Sequence, residues 1–146
     1  MSELTLEQSK TIVSEALAEG RRTDCAPLTV AVLDAGGHMK CFAREDGSGI
    51  LRPDIATGKA WGALGMGFGS RTLFERSQSS DKSRMFFTAL ASVSAGRVIP
   101  VPGGVLIRDG AGAVVGAVGI SGDTSEKDEA CAVAGIEAAG LKADTG

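Results

Sequence analysis

The 146-residue chain is 43% hydrophobic and 23% charged, carries a net charge of −3 and has an isoelectric point near 5.2. That acidic balance gives nucleic acid no electrostatic footing, and no apolar run reaches the length of a membrane span. Three widely spaced cysteines, Cys25, Cys41 and Cys131, make neither a disulfide framework nor a CxxC knuckle. Reduced, mostly buried thiols are therefore expected; with no signal-peptide pattern at the start, the expected location is cytoplasmic.

The elements follow in chain order. Thr5 and Gln8 form a capping box, and Leu6, Ser9, Ile12, Val13, Ala16 and Leu17 keep helical spacing up to Gly20. Residues 28–34 read as a strand, with Val30 and Val32 on one face and Thr29, Ala31 and Leu33 on the other. Ala35-Gly36-Gly37 turns the chain into a return strand over 38–44, and 45–49 form a second, more polar turn. A helix is expected from Pro53 to about Leu64, with Asp54 placing negative charge at its start. Gly58, Gly62, Gly65 and Gly67 make it a poor intrinsic helix, so packing against the sheet must hold it.

Residues 72–93 mix helix and loop, polar at 77–82 and apolar at Met85-Phe86-Phe87. A third strand is expected over 98–101. Residues 105–107 and 114–120 make a hairpin around Asp109-Gly110, its second strand interrupted by Gly116 and Gly119. Glycine weakens a strand unless another backbone must approach closely. Ser125 with Asp128 is expected to cap a final helix of small apolar residues, and 141–146 to fray. Two hairpins with segregated helices argue an α+β fold on an antiparallel sheet, forming one domain over residues 1–146.

Few residues can carry chemistry, since the chain has one histidine and no tyrosine. His38 follows the Gly36-Gly37 turn and could bind a metal or act as a base; it could equally be a solvated hairpin residue. Lys59 sits between Gly58 and Ala60, with room beside it for a carboxylate ligand, or for work as a catalytic base or Schiff-base amine. An ion pair is the plainer reading. Arg44 can grip a carboxylate bidentately, whereas Asp46 shapes its own turn. Asp128 and Glu129 could move protons with Lys59 as catalytic partners, or serve only the start of their helix. Gly103-Gly104, next to Pro100 and Pro102, could leave backbone N–H groups free as an anion nest, or simply turn the chain. Cys41 alternates with Met39 and Ala43 on one strand face. No P-loop, Ser-His-Asp order or HExxH motif is present.

Three blocks carry a resemblance to a known family. These are 102–122 with Asp128-Glu129; 30–39 with Arg44-Glu-Asp-Gly47; and Ile55-Ala-Thr-Gly-Lys-Ala60. In this order, and across nearly the whole chain, they resemble the GlcG/HbpS-like haem-binding proteins, which include the C-terminal domain of PduO-type proteins. The resemblance implies a profilin-like α/β/α arrangement with a five-stranded antiparallel sheet, haem as cofactor or ligand, sometimes haem degradation, and homo-oligomeric assembly. The wording departs at Glu45, Gly62 and Leu106, where an apolar residue, threonine and proline are commoner.

Haem would need an apolar slot, cations for its propionates and an axial ligand. Met39, Met66, Phe68, Phe86 and Phe87 are the available slot residues, with Arg44 or Lys59 for the propionates and His38 as the axial candidate, Cys41 or a methionine behind it. A second reading is a small catabolic enzyme holding an organic acid on Lys59, Arg44 and Gly103-Gly104. A third is a non-catalytic module whose glycine-rich faces assemble subunits.

Overall fold

The computed structural model describes residues 3–146. Helix α1 (Leu6–Arg22) begins at the expected capping box, with Thr5 Oγ1 accepting from the Gln8 N–H and Gln8 Oε1 from the Thr5 N–H, each at 3.0 Å. Strands β1 (Thr29–Asp34) and β2 (Met39–Arg44) form the first hairpin. Three helices follow: α2 (Arg52–Met66), α3 (Ser70–Ser77) and α4 (Asp81–Val93). The second hairpin is β3 (Gly104–Arg108) with β4 (Val114–Ser121), before α5 (Ser125–Ala138) and β5 (Lys142–Asp144). The sheet is antiparallel throughout, in the order β2-β1-β4-β3-β5.

Alternation along the central strands builds three layers. Val30, Val32, Val118 and Ile120 face α1 and α5, meeting Ile12, Ala16, Cys131 and Ile136 in the larger core. Leu33, Leu106 and Ala117 face the other way, onto Ala60 and Ala63 of α2. The fold is the expected α+β, profilin-like sandwich.

Glycine explains how α2 lies so low on the sheet. A Cβ at Gly119 would collide with the Ala56 carbonyl, and one at Gly104 with the Lys59 carbonyl. These two glycines are register partners across β3 and β4, so the helix backbone settles onto a patch without side chains.

Three expectations are corrected. Residues 98–101 are not a strand. Val98 and Ile99 pack into the groove that Gly58 and Gly62 leave on α2, and the Ile99 N–H donates to the Gly58 carbonyl at 3.3 Å. Pro100 and Pro102 lack the donors a sheet ladder needs. The fifth strand is instead β5, in the segment expected to fray; it pairs with β3, and Arg108 Nε meets Asp144 Oδ2 at 2.8 Å. Finally, α5 is capped by Thr124, whose side chain accepts from the Lys127 N–H at 3.3 Å, because Asp128 is turned inward.

Candidate functional site

The residues singled out from the sequence divide among three places. Lys59 is interior, only 2% exposed, although it projects from a surface helix. Its Nζ donates to the Ile120 carbonyl at 2.8 Å and to Asp128 Oδ2 at 3.0 Å, while Asp128 Oδ1 accepts from the Asp123 N–H at 3.0 Å. A Cβ on Gly103 would lie 2.8 Å from Lys59 Nζ, so Gly103, at φ +120°, provides the wall that closes over the amine. Burial pulls the Lys59 ammonium below its ordinary value, with Asp128 pulling the other way. Burial likewise pushes the Asp128 carboxyl up, and Lys59 opposes it.

Gly104 offers no free anion donor, since its N–H donates to Ser70 Oγ at 2.7 Å. The Gly103 carbonyl accepts from Ile120 at 3.0 Å. Glu129 is gripped by Arg71 of α3, with Nε at 3.1 and 3.2 Å from its two oxygens and Nη2 at 2.8 Å. That pairing holds the Arg71 guanidinium above its usual value through hydrogen bonding and charge. No local pattern points to Arg71, because 58 residues separate it from Glu129.

Arg44 lies at the far end of β2 from His38, about 20 Å away along extended chain. Its Nη1 donates to the Ser48 carbonyl at 2.6 Å and fastens the polar turn. The Glu45 carboxylate accepts from the Leu28 N–H at 2.7 Å and pairs with Arg21 at 3.2 Å. The arrangement thus brings Lys59 and Asp128 together, with Gly103 beside them, and leaves Arg44 and Glu129 in separate ion-pair or turn networks.

His38 is exposed, its side chain 81% accessible. Asp34 ends β1 and folds over the turn, where its Oδ1 accepts from the N–H groups of Gly36 and His38, each at 3.0 Å. The same oxygen lies 3.2 Å from His38 Nδ1. Partial burial works to raise the Asp34 carboxyl, yet these donors and the imidazole hold it below its ordinary value. The turn is backed by α2, since Gly37, at φ +83°, leaves no side chain to crowd Trp61. Arg97 stacks on that indole, 3.9 Å from the ring centroid.

With Nδ1 on a carboxylate, Nε2 of His38 is left to meet a ligand. It borders a groove of about 720 Å³ running between the ends of the two hairpins and the segment before α1. Leu4, Val114 and Val115 supply apolar wall, and Lys40 a cation. Asp109, also on the rim, spends Oδ1 on the N–H groups of Ala111 and Ala113 at 3.0 and 2.9 Å. Asp34 and Lys40 were missed as site residues. The signal was present in Asp34-x-x-x-His38 spanning a hairpin turn, which sets two side chains against each other. Leu4, Val114 and Val115 gave no such signal, because they join the groove only through tertiary packing.

Among the described residues no cluster of three or more His, Cys, Asp or Glu could hold a bare metal ion, and no helix is long and apolar enough to cross a membrane. His38 and the apolar wall of the groove are the residue types that an axial haem site would need.

A family model described as haem degrading protein, HbpS-like, matches residues 4–137. Among solved structures, a PduOC–heme complex aligns with TM-score 0.84 and 23% identity over 96% of this chain and 97% of its own. The Klebsiella pneumoniae protein ORFY aligns with TM-score 0.85, again at 23% identity, over 96% and 93%. A double mutant of HbpS from Streptomyces reticuli aligns with TM-score 0.77 and 25% identity over 94% and 87%. No curated protein matches significantly.

Proposed function

The chain belongs to the HbpS-like family, and from that premise we propose that it binds haem in the groove beside His38. The observation that carries this reading is the Asp34–His38 contact at the mouth of an apolar groove. A carboxylate on one imidazole nitrogen favours one ring orientation and tautomer, the usual support for a metal-ligating histidine. The groove volume lies within the ordinary range for small-molecule sites, about 300–1,000 Å³.

In this reading His38 would hold the iron through Nε2, Leu4, Val114 and Val115 would supply apolar contact, and Lys40 would pair with a propionate. Bound haem would supply iron redox and oxygen chemistry. The protein's part is to orient the ring and shield one face. An organic-acid enzyme centred on Lys59 is not favoured, because that amine is sealed from solvent and already hydrogen-bonded on two sides. Lys59, Asp128 and Gly103 instead hold α2, α5 and the start of β3 together. Free, reduced thiols suit a cytoplasmic setting.

Assembly into a homo-oligomer belongs to the same proposal. Helix α4 buries none of its residues, and Met85, Phe86 and Val93 are exposed along it. A 13-residue helix is marginal alone in water, so a second copy of the chain is the cover that would stabilise it. Light scattering should show an oligomer that Phe86→Glu weakens; a wild-type monomer would refute this.

For haem, the test is a titration read at the Soret band. Saturable one-to-one binding with a shifted band is expected, lost in His38→Ala and weakened several-fold in Lys40→Glu. A wild type that shows no specific shift ends the reading.

A further inference from the structure

Cys25 and Cys131 are 106 residues apart in sequence, yet their Sγ atoms lie 4.0 Å apart and both side chains are buried. They occupy different kinds of backbone. Cys131 is on the inward face of α5, one turn beyond Asp128. Cys25 is in the irregular segment between α1 and β1, entered through Asp24 at φ +57°. Clips hold that segment on both sides. The Cys25 N–H donates to the Gly20 carbonyl at 2.9 Å, its carbonyl accepts from Arg21 at 2.7 Å, and the Ala26 N–H donates to Asp123 at 2.7 Å. The Cys25 side chain is thereby aimed at α5, on a stretch not locked into the sheet.

We propose that Cys25 and Cys131 are a modification site, forming a reversible disulfide in the presence of a hydroperoxide. The sulfurs must close from 4.0 Å to about 2.05 Å, a movement that an irregular segment can supply and a strand cannot. Cys25 is the attacking group because it lies on the irregular segment, whereas Cys131 is fixed on α5, where burial pushes its thiol up. The Cys25 thiolate attacks the outer peroxide oxygen, the O–O bond breaks, and the alcohol leaves with Cys25 oxidised to the sulfenic acid. The Cys131 sulfur then attacks the Cys25 sulfur. The S–O bond breaks, and the oxygen departs as water with the protons of the sulfenic acid and the Cys131 thiol. Two thiols and one hydroperoxide thus give one disulfide, one alcohol and one water.

The bridge would tie the α1–β1 segment to α5, the helix that also presents Asp128 to Lys59. Haem plays no part in this inference. Cys41, on β2, is half-buried and serves as an internal control.

The reduced, haem-free protein is treated with excess hydrogen peroxide, alkylated, and analysed by intact mass, peptide mapping and thermal melting. Expected are the loss of two hydrogens, a linked Cys25–Cys131 peptide, and a melting point raised by roughly 5–10 °C, all reversed by dithiothreitol. Cys41→Ser should behave like wild type, whereas Cys25→Ser and Cys131→Ser should lose the linked product. Peptide mapping of the wild type decides the matter even if a variant folds poorly. Oxygen added to thiols without a linked peptide, a disulfide through Cys41, or no reaction would each overturn the proposal.

Discussion

In the interior, Lys59 and Asp128 face each other with side-chain exposures of 3% and 1%; at the end of the sheet, Asp34 and His38 meet across a hairpin turn with exposures of 32% and 81%. Each pair sets a carboxylate against a nitrogen base at about hydrogen-bond distance. The interior pair has no unsatisfied atom, because the Ile120 carbonyl and the Asp123 N–H complete it. The hairpin pair leaves one imidazole nitrogen facing a groove. Residue type therefore says little about chemistry until the remaining donor and acceptor positions are counted. Lys59 is the more conspicuous residue in the sequence, and His38 is the one with a position to offer.

The comparison breaks first at the sealed pair. Lys59→Met leaves Asp128 buried without its cation and should cost about 3–5 kcal/mol in urea unfolding. Adding Asp128→Leu should recover much of that loss, since neither charge then remains. Next is the patch that lets α2 descend. Gly119→Ala drives a methyl into the Ala56 carbonyl and should destabilise by about 1–3 kcal/mol, read by the same assay.

At the open pair the effect falls on binding. Asp34→Asn should weaken haem affinity about 10-fold while leaving the thermal midpoint nearly unchanged, because it removes a support of the ligand and leaves the core intact. The smallest effect is one of pH. The Asp34 carboxyl lies below its ordinary value of 3.8 in the folded protein, so its contribution to stability is complete above that value and fades as pH falls through the lower, folded one. The small stability advantage of wild type over Asp34→Asn, read by urea unfolding, should be present at about pH 5 and vanish in stronger acid.

Local signals made much of the fold legible. The Thr5–Gln8 capping box, the alternation of Val30 and Val32 against Leu33, and the Gly119 interruption each act over a few residues, and each has its counterpart in α1, β1 and the α2 contact. The misread segments were those decided by distant partners. Residues 98–101 have strand-like side chains, but two prolines and a glycine groove on α2 direct them elsewhere. Residues 142–144 have little intrinsic preference and become a strand because β3 presents an open edge and Arg108. The site divides in the same way. His38 was visible as the only histidine, whereas the pairing of Glu129 with Arg71 and the groove walls depend on contacts no local pattern encodes.

The most direct test titrates haem into His38→Ala and Lys59→Met side by side, with near-UV circular dichroism confirming the folded fraction of each. The account predicts that His38→Ala folds normally and loses the Soret shift, while Lys59→Met is less stable yet binds one haem per folded molecule. Undiminished binding in His38→Ala, together with loss of binding in folded Lys59→Met, would contradict it and return the site to the interior.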